Sequence, residues 1–210
     1  MLSWALLLAY QSKTLNYDLF RGDQSIGEAK VLIRITQDGG KRTDTKLTLK
    51  QKGKTLDMHT TQVWSFSGRP VLKIVQVFDD KGTEVNRTRV DFKASEAVVT
   101  KVINDKSTKS TLPIDGKIEI RDFAEFWFLR DEPVKGKPVD YHTFDATGLK
   151  WETAKSTYIG EEEKTVQGQK KTLHHVSQVI GARHIEVWLD DEGFPLITES
   201  SDNTKIVAKF

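Results

Sequence analysis

Residues 29–50 read AKVLIRITQDGGKRTDTKLTLK, and their reading decides the fold. On an extended chain Ala29, Val31, Ile33 and Ile35 fall on one side and Lys30, Arg34 and Thr36 on the other. That is a period of two, which belongs to a strand with one buried face and not to a helix. Asp38-Gly39-Gly40 supplies the turn, after which Leu47 and Leu49 alternate with Lys46, Thr48 and Lys50.

Outward from this hairpin the pattern repeats. A short turn at Lys52-Gly53-Lys54 leads into TLDMHTTQVW (55–64). Residues 71–78 turn at 79–82 and return as 85–92, and beyond Ala94-Ser95 the chain extends again through Val98, Val99, Val102 and Ile103. In the second half, 139–144, 149–159, 166–179, 184–189, 194–199 and 206–210 read as strands. Ala146-Thr147-Gly148 and Gly160-Glu161-Glu162-Glu163 read as turns, and Asp190-Asp191-Glu192-Gly193 as the clearest hairpin.

Between the halves, DFAEFWFLR (122–130) places Phe123, Phe126 and Trp127 at helical spacing behind a capping Asp122. The competing reading is a buried strand, because 126–129 are consecutive and bulky. Either form is expected to plug one end of a curved sheet. Two separate halves would each expose edges, so the expected architecture is mainly β. It is one large, strongly curved antiparallel sheet or open half-barrel with a short packed helix, with residues 15–210 as a single domain.

Composition narrows the function. Lys plus Arg number 32 against 30 Asp plus Glu in 210 residues, and a net charge of +2 offers no one-signed field for nucleic acid. The absence of Cys excludes disulfides, thiol nucleophiles and thiolate metal sites. No dinucleotide or phosphate loop, nucleophile elbow or H-E-x-x-H helix occurs. The most apolar stretch, MLSWALLLAY (1–10), is far short of the roughly 20 residues of a transmembrane helix. Residues 2–8 followed by Ala9 have the form of a secretory h-region without its basic n-region. Two readings stand: 1–14 is a signal peptide of a periplasmic or secreted protein, or it is an amphiphilic segment of a cytoplasmic one.

One polar constellation emerges from the strand pattern. A hairpin turning at Ile180-Gly181 puts His175, His184 and Glu186 on one sheet face, with Glu199 from the next strand, and points His174 the opposite way. Pairing Gln178 with Arg183 opposes His175 to Glu186 and Ser177 to His184, with Leu189 opposite Phe194 in the next hairpin. Two imidazoles and a carboxylate suit proton exchange, so these three are the candidate catalytic residues. They are equally the candidate ligands of zinc or a similar divalent ion, the one cofactor the sequence suggests. The plainer alternative is a solvated face on which Glu186 pairs with His175. Tyr141, Tyr158, Trp151, Trp188 and Arg130 are candidates for a ligand cleft.

Three segments carry a family resemblance: NYDLFRGDQSIGEAKVLI (16–33), KIEIRDFAEFWFLRDEPVKGKPVDYHTFD (117–145) and RHIEVWLDDEGFPLITES (183–200). Ile26-Gly27-Glu28, the bulky run from 126 to Gly136, and Trp188 before an acidic turn and Pro195 resemble the bacterial secreted family catalogued as domain of unknown function 3108. The resemblance implies an exported, strongly curved antiparallel sheet similar in form to periplasmic lipoprotein carriers, and no catalytic residues. The expected function is noncatalytic: binding of an apolar or amphiphilic ligand or an envelope partner protein. The alternative is an extracytoplasmic enzyme that acts on a polar polymer through the His/Glu patch.

Overall fold

The computed structural model of the chain describes residues 12–51, 53–116, 119–121, 128–129 and 131–210. Residues 1–11 of the expected signal segment and most of the 122–130 cluster, Arg130 included, lie outside the described residues, while residues 12–14 belong to a strand that starts at Ser12. Fourteen strands follow in order: β1 (Ser12–Arg21), β2 (Gln24–Ile35), β3 (Lys41–Gln51), β4 (Lys54–Trp64), β5 (Pro70–Phe78), β6 (Glu84–Phe92), β7 (Glu96–Ile103), β8 (Lys106–Pro113), β9 (Pro138–Asp145), β10 (Lys150–Val166), β11 (Gln169–Ile180), β12 (Arg183–Leu189), β13 (Pro195–Ser200) and β14 (Thr204–Lys209). They form one sheet in the order β8-β7-β6-β5-β4-β3-β2-β1-β14-β13-β12-β11-β10-β9. Every ladder is antiparallel, so the fold is two meanders joined where β1 pairs with β14. No helix among the described residues is long and apolar enough to cross a membrane.

The sheet curls because each strand commits one face to a common interior. Leu15, Tyr17 and Leu19 alternate inward on β1, and Val176 and Val187 meet as cross-strand partners on β11 and β12. Each such apolar side chain contributes roughly 1.5–3 kcal/mol on burial. Across the concave side, Trp64 of β4 packs with Phe128, Tyr141, Ala154 and Val176, which fills one end of the interior. Phe128 is 1% exposed, so this part of the aromatic run is a plug.

The sheet is not closed: no ladder joins β8 to β9 among the described residues. Packing brings the two edges together instead. Val90 and Val99 share a cluster with Phe144 and Ala146, and Trp151 lies against Phe144 with ring centroids 5.0 Å apart. The indole Nε1 of Trp151 donates to the carbonyl of Pro113 at the end of β8, 3.1 Å away. Ile120 makes an isolated parallel bridge to His142 along the free edge of β9.

Two local readings are corrected. The segment Gly160-Glu161-Glu162-Glu163 is no turn but part of β10, where Gly160, at a φ of +130°, absorbs a bulge next to Ile159. The reversal lies at Gln167-Gly168, both with positive φ, as a two-residue hairpin demands. The edge strand β8 escaped the pattern because KSTKSTLP is polar on both faces and almost wholly exposed.

Candidate functional site

The predicted constellation sits on the convex side. The β11–β12 register pairs Ser177 with Glu186 and His175 with Trp188, two residues away from the expected pairing. An even slip preserves faces. His175, His184 and Glu186 therefore share one face, and His174 lies on the other. The slip comes from the turn, which is only Gly181-Ala182, so that Ile180 pairs with Arg183. In the next hairpin Glu186 lies opposite Glu199, and Lys205 holds that second carboxylate at 2.8 Å.

Glu186 divides its oxygens between the two imidazoles. Oε2 is 2.6 Å from His175 Nε2, and Oε1 is 2.5 Å from His184 Nε2. The Ser177 hydroxyl donates to Oε1 at 2.9 Å. Burial raises the Glu186 carboxyl, but the hydrogen bonds from His184, His175 and Ser177 outweigh it and hold the group below the usual carboxylate value. His175 is fixed on its other side as well, with Nδ1 3.3 Å from Glu162 Oε2 and its ring stacked on Trp188 at 4.6 Å. Glu162 accepts from Trp188 Nε1 at 2.8 Å, and Lys164 lies over the indole at 4.3 Å. Hydrogen bonds from Lys164 and Trp188 keep the Glu162 carboxyl below its ordinary value. Among the described residues, no group of three or more His, Asp or Glu side chains is arranged to hold a metal ion.

The cleft candidates disperse. Trp188 belongs to the convex patch, Trp151 to the seam between the sheet edges, and Tyr141 to the plug, where its hydroxyl lies 3.2 Å from Ser156 Oγ. Tyr158 lines a concave cleft of about 500 Å³ with His174, Asp191 and Glu132. Its hydroxyl is 3.0 Å from His174 Nδ1, and His174 Nε2 is 3.2 Å from Asp191 Oδ1. With Nε2–H donating to Asp191, Nδ1 is the acceptor of the phenol proton. Burial and the charge of Glu161 push that phenol up, which keeps it protonated.

A second concave space lies on the other side of the plug. This hollow, of about 460 Å³, runs between β4 and β5 on one wall and β9 to β14 on the other. Met58, Val75, Phe144, Ile185 and Ile206 give it apolar surface; Gln62, Lys73, Thr143, Glu152 and Arg183 give it polar groups. Sequence reasoning missed Lys73 and Gln62 because a polar residue on an alternating strand is assigned to solvent. Phase gives no signal here: Lys73 falls in step with Val71, Val75 and Val77, but Leu72, Ile74 and Phe78 make the opposite face of the strand equally apolar.

A crystal structure of a beta-barrel-like protein of domain of unknown function DUF1849 from Brucella abortus is similar to this chain. Its TM-score is 0.65 at 12% identity, covering 95% of this chain and 94% of that one. A DUF1089 family protein from Pseudomonas aeruginosa is matched over 83% of this chain and 90% of that chain, with TM-score 0.49 and 12% identity. No family model and no curated protein matches the chain. At such identity the first likeness shows a shared β-barrel-like fold and nothing about activity.

Proposed function

We propose that the protein is a noncatalytic binding protein of the cell envelope whose concave hollow holds an apolar or amphiphilic ligand. The observation that carries this reading is the hollow itself: about 460 Å³, where Met58, Val75, Phe144, Ile180, Ile185 and Ile206 offer apolar surface among a larger number of polar and charged side chains. Small-molecule sites run to about 300–1,000 Å³, and an amphiphile needs both kinds of surface. The envelope location is part of the proposal, supported by the leucine-rich start and by the resemblance to a secreted family.

The test is equilibrium binding of the neutral fluorophore N-phenyl-1-naphthylamine. A saturable rise in emission is expected, and Ile185→Trp, which fills the hollow, is expected to abolish it while the fold is retained. Emission that grows linearly with probe, or saturates equally in Ile185→Trp, would reject the reading. Fractionation of the native host with intact-mass analysis tests export, and full-length protein in the cytoplasm would overturn the location.

The rival reading is an enzyme acting on a polar polymer through His175, His184 and Glu186, with or without a divalent metal such as zinc. The hydrogen-bonded imidazole–carboxylate–imidazole set favours it. It requires that Glu186→Gln abolish turnover of a polysaccharide substrate, or that zinc titrate with one-site stoichiometry that this variant loses.

A further inference from the structure

We infer that β8 is a docking edge for an extended acidic segment of a partner protein, which adds to the sheet as a further strand. The inference goes beyond the ligand reading and does not depend on the hollow. β8 stands last in the sheet and is laddered to β7 alone. Asn104 and Asp105, at φ of +47° and +62°, form the two-residue turn between these strands, so Ile103 and Lys106 make its first hydrogen-bonded pair. Bonded and non-bonded pairs then alternate along the ladder. The pairs Lys101–Thr108, Val99–Ser110 and Ala97–Leu112 are in the bonded phase, and the 2.8 Å bond from the Ile114 N–H to the Ser95 carbonyl continues it. Ser107, Lys109 and Thr111 fall in the other phase, in which N–H and C=O point away from β7. Pro113 shares that phase. Its missing N–H costs the ladder nothing, and its outward carbonyl is the one that Trp151 takes at 3.1 Å.

The outward groups of Ser107, Lys109 and Thr111 make no hydrogen bond to another strand among the described residues, and every residue from Lys106 to Thr111 is exposed. Such a row is a template for an added strand. The side chains select which strand it takes. Lys106 and Lys109 project to opposite faces of β8, and Lys101 of β7 shares the face of Lys106. None of the three is in an ion pair among the described residues, and β8 carries no acidic residue. A second copy of β8 would bring lysine against lysine, and like charges across a strand pair are unfavourable. A strand bearing Glu or Asp meets the same positions with opposite charge. The edge therefore discriminates against its own copies and fits an acidic partner.

The experiment measures amide exchange of the full chain by NMR at neutral pH with two eight-residue capped peptides, one of alternating Glu and Thr and one of alternating Lys and Thr. The acidic peptide, at ten times its dissociation constant, is expected to slow exchange at Ser107, Lys109 and Thr111 about tenfold. The basic peptide is expected to bind at least about tenfold more weakly, and added salt to narrow the difference. Thr111→Pro removes one outward N–H and no ladder bond, so it should unfold near the wild-type midpoint and bind the acidic peptide about fivefold more weakly. Lys109→Glu should weaken the acidic peptide and strengthen the basic one. Equal binding of the two peptides, no binding of either, protection outside β8, or undiminished binding by Lys109→Glu would overturn the inference. So would protection of the three amides without peptide: if it grows with protein concentration the occupant is a second copy, and if it does not the occupant is another segment of this chain.

Discussion

At the scale of single residues, Glu186 and Asp191 each accept from an imidazole but stand in different surroundings. Glu186 serves two imidazoles and a hydroxyl in a half-buried position, whereas the Asp191 side chain is 96% exposed. Glu186→Gln is expected to lower the unfolding free energy by about 1 kcal/mol at neutral pH, allowing for partial exposure. Asp191→Asn is expected to change it by less than about 0.5 kcal/mol. The Glu186 carboxyl is depressed in the folded protein, so its contribution is complete above its ordinary value and disappears as pH falls through the lowered one. Urea unfolding of wild type and Glu186→Gln at a series of pH values should therefore converge as the pH falls below the ordinary carboxylate range. An undiminished gap there would refute the linkage. The shared face of His175, His184 and Glu186 was legible because period two survives any even slip in register. Their link to Glu162 was not, because it depends on the β10 bulge, and local pattern gives a bulge no signal beyond the glycine itself.

Among the elements, two glycines do different work. A Cβ on Gly27 of β2 would lie 2.2 Å from the Thr48 carbonyl oxygen, on a paired strand that cannot withdraw without breaking its ladder. Gly168 has open space around it and needs only its φ of +78°. Gly27→Ala is expected to cost about 3 kcal/mol or more as overpacking against backbone. Gly168→Ala should cost about 1–2 kcal/mol as left-handed strain. Thermal or denaturant midpoints would give the order, and a milder effect at Gly27 would show that β2 and β3 can separate without penalty. The sequence marked most hairpins by their turn residues. It misplaced the β10–β11 reversal because a glycine followed by three acidic residues has turn composition, while the real turn begins with Gln167. β8 stayed hidden because an edge strand exposed on both faces has no alternation to read.

For the whole molecule, the meeting of β8 and β9 by packing instead of a ladder makes that seam its least constrained boundary. Trp151 holds it from the β10 side through Phe144, Phe92 and the Pro113 carbonyl. Trp151→Ala is expected to cost about 2–3 kcal/mol, less than a fully buried tryptophan because the ring is partly exposed. Hydrogen exchange should accelerate first in β7 and β8 and leave the β1–β14 ladder protected; uniform acceleration would mean that the seam does not open as a unit. The curved single sheet was legible from alternation on both sides of the aromatic run, but its circular order was not, since no local signal pairs the first strand with the last. That pairing carries a consequence for biosynthesis. β1 is the first described strand to leave the ribosome, and one of its two neighbours is the last, a wait of roughly ten seconds or more at ordinary elongation rates. Throughout that interval one side of β1 carries unpaired N–H and C=O groups, open to pairing with the wrong chain. A circular permutant that links Lys209 to Ser12 and opens the chain between β8 and β9 would convert this distant pair into a hairpin. It is expected to refold faster and aggregate less than the parent, with stopped-flow fluorescence and light scattering as the measures.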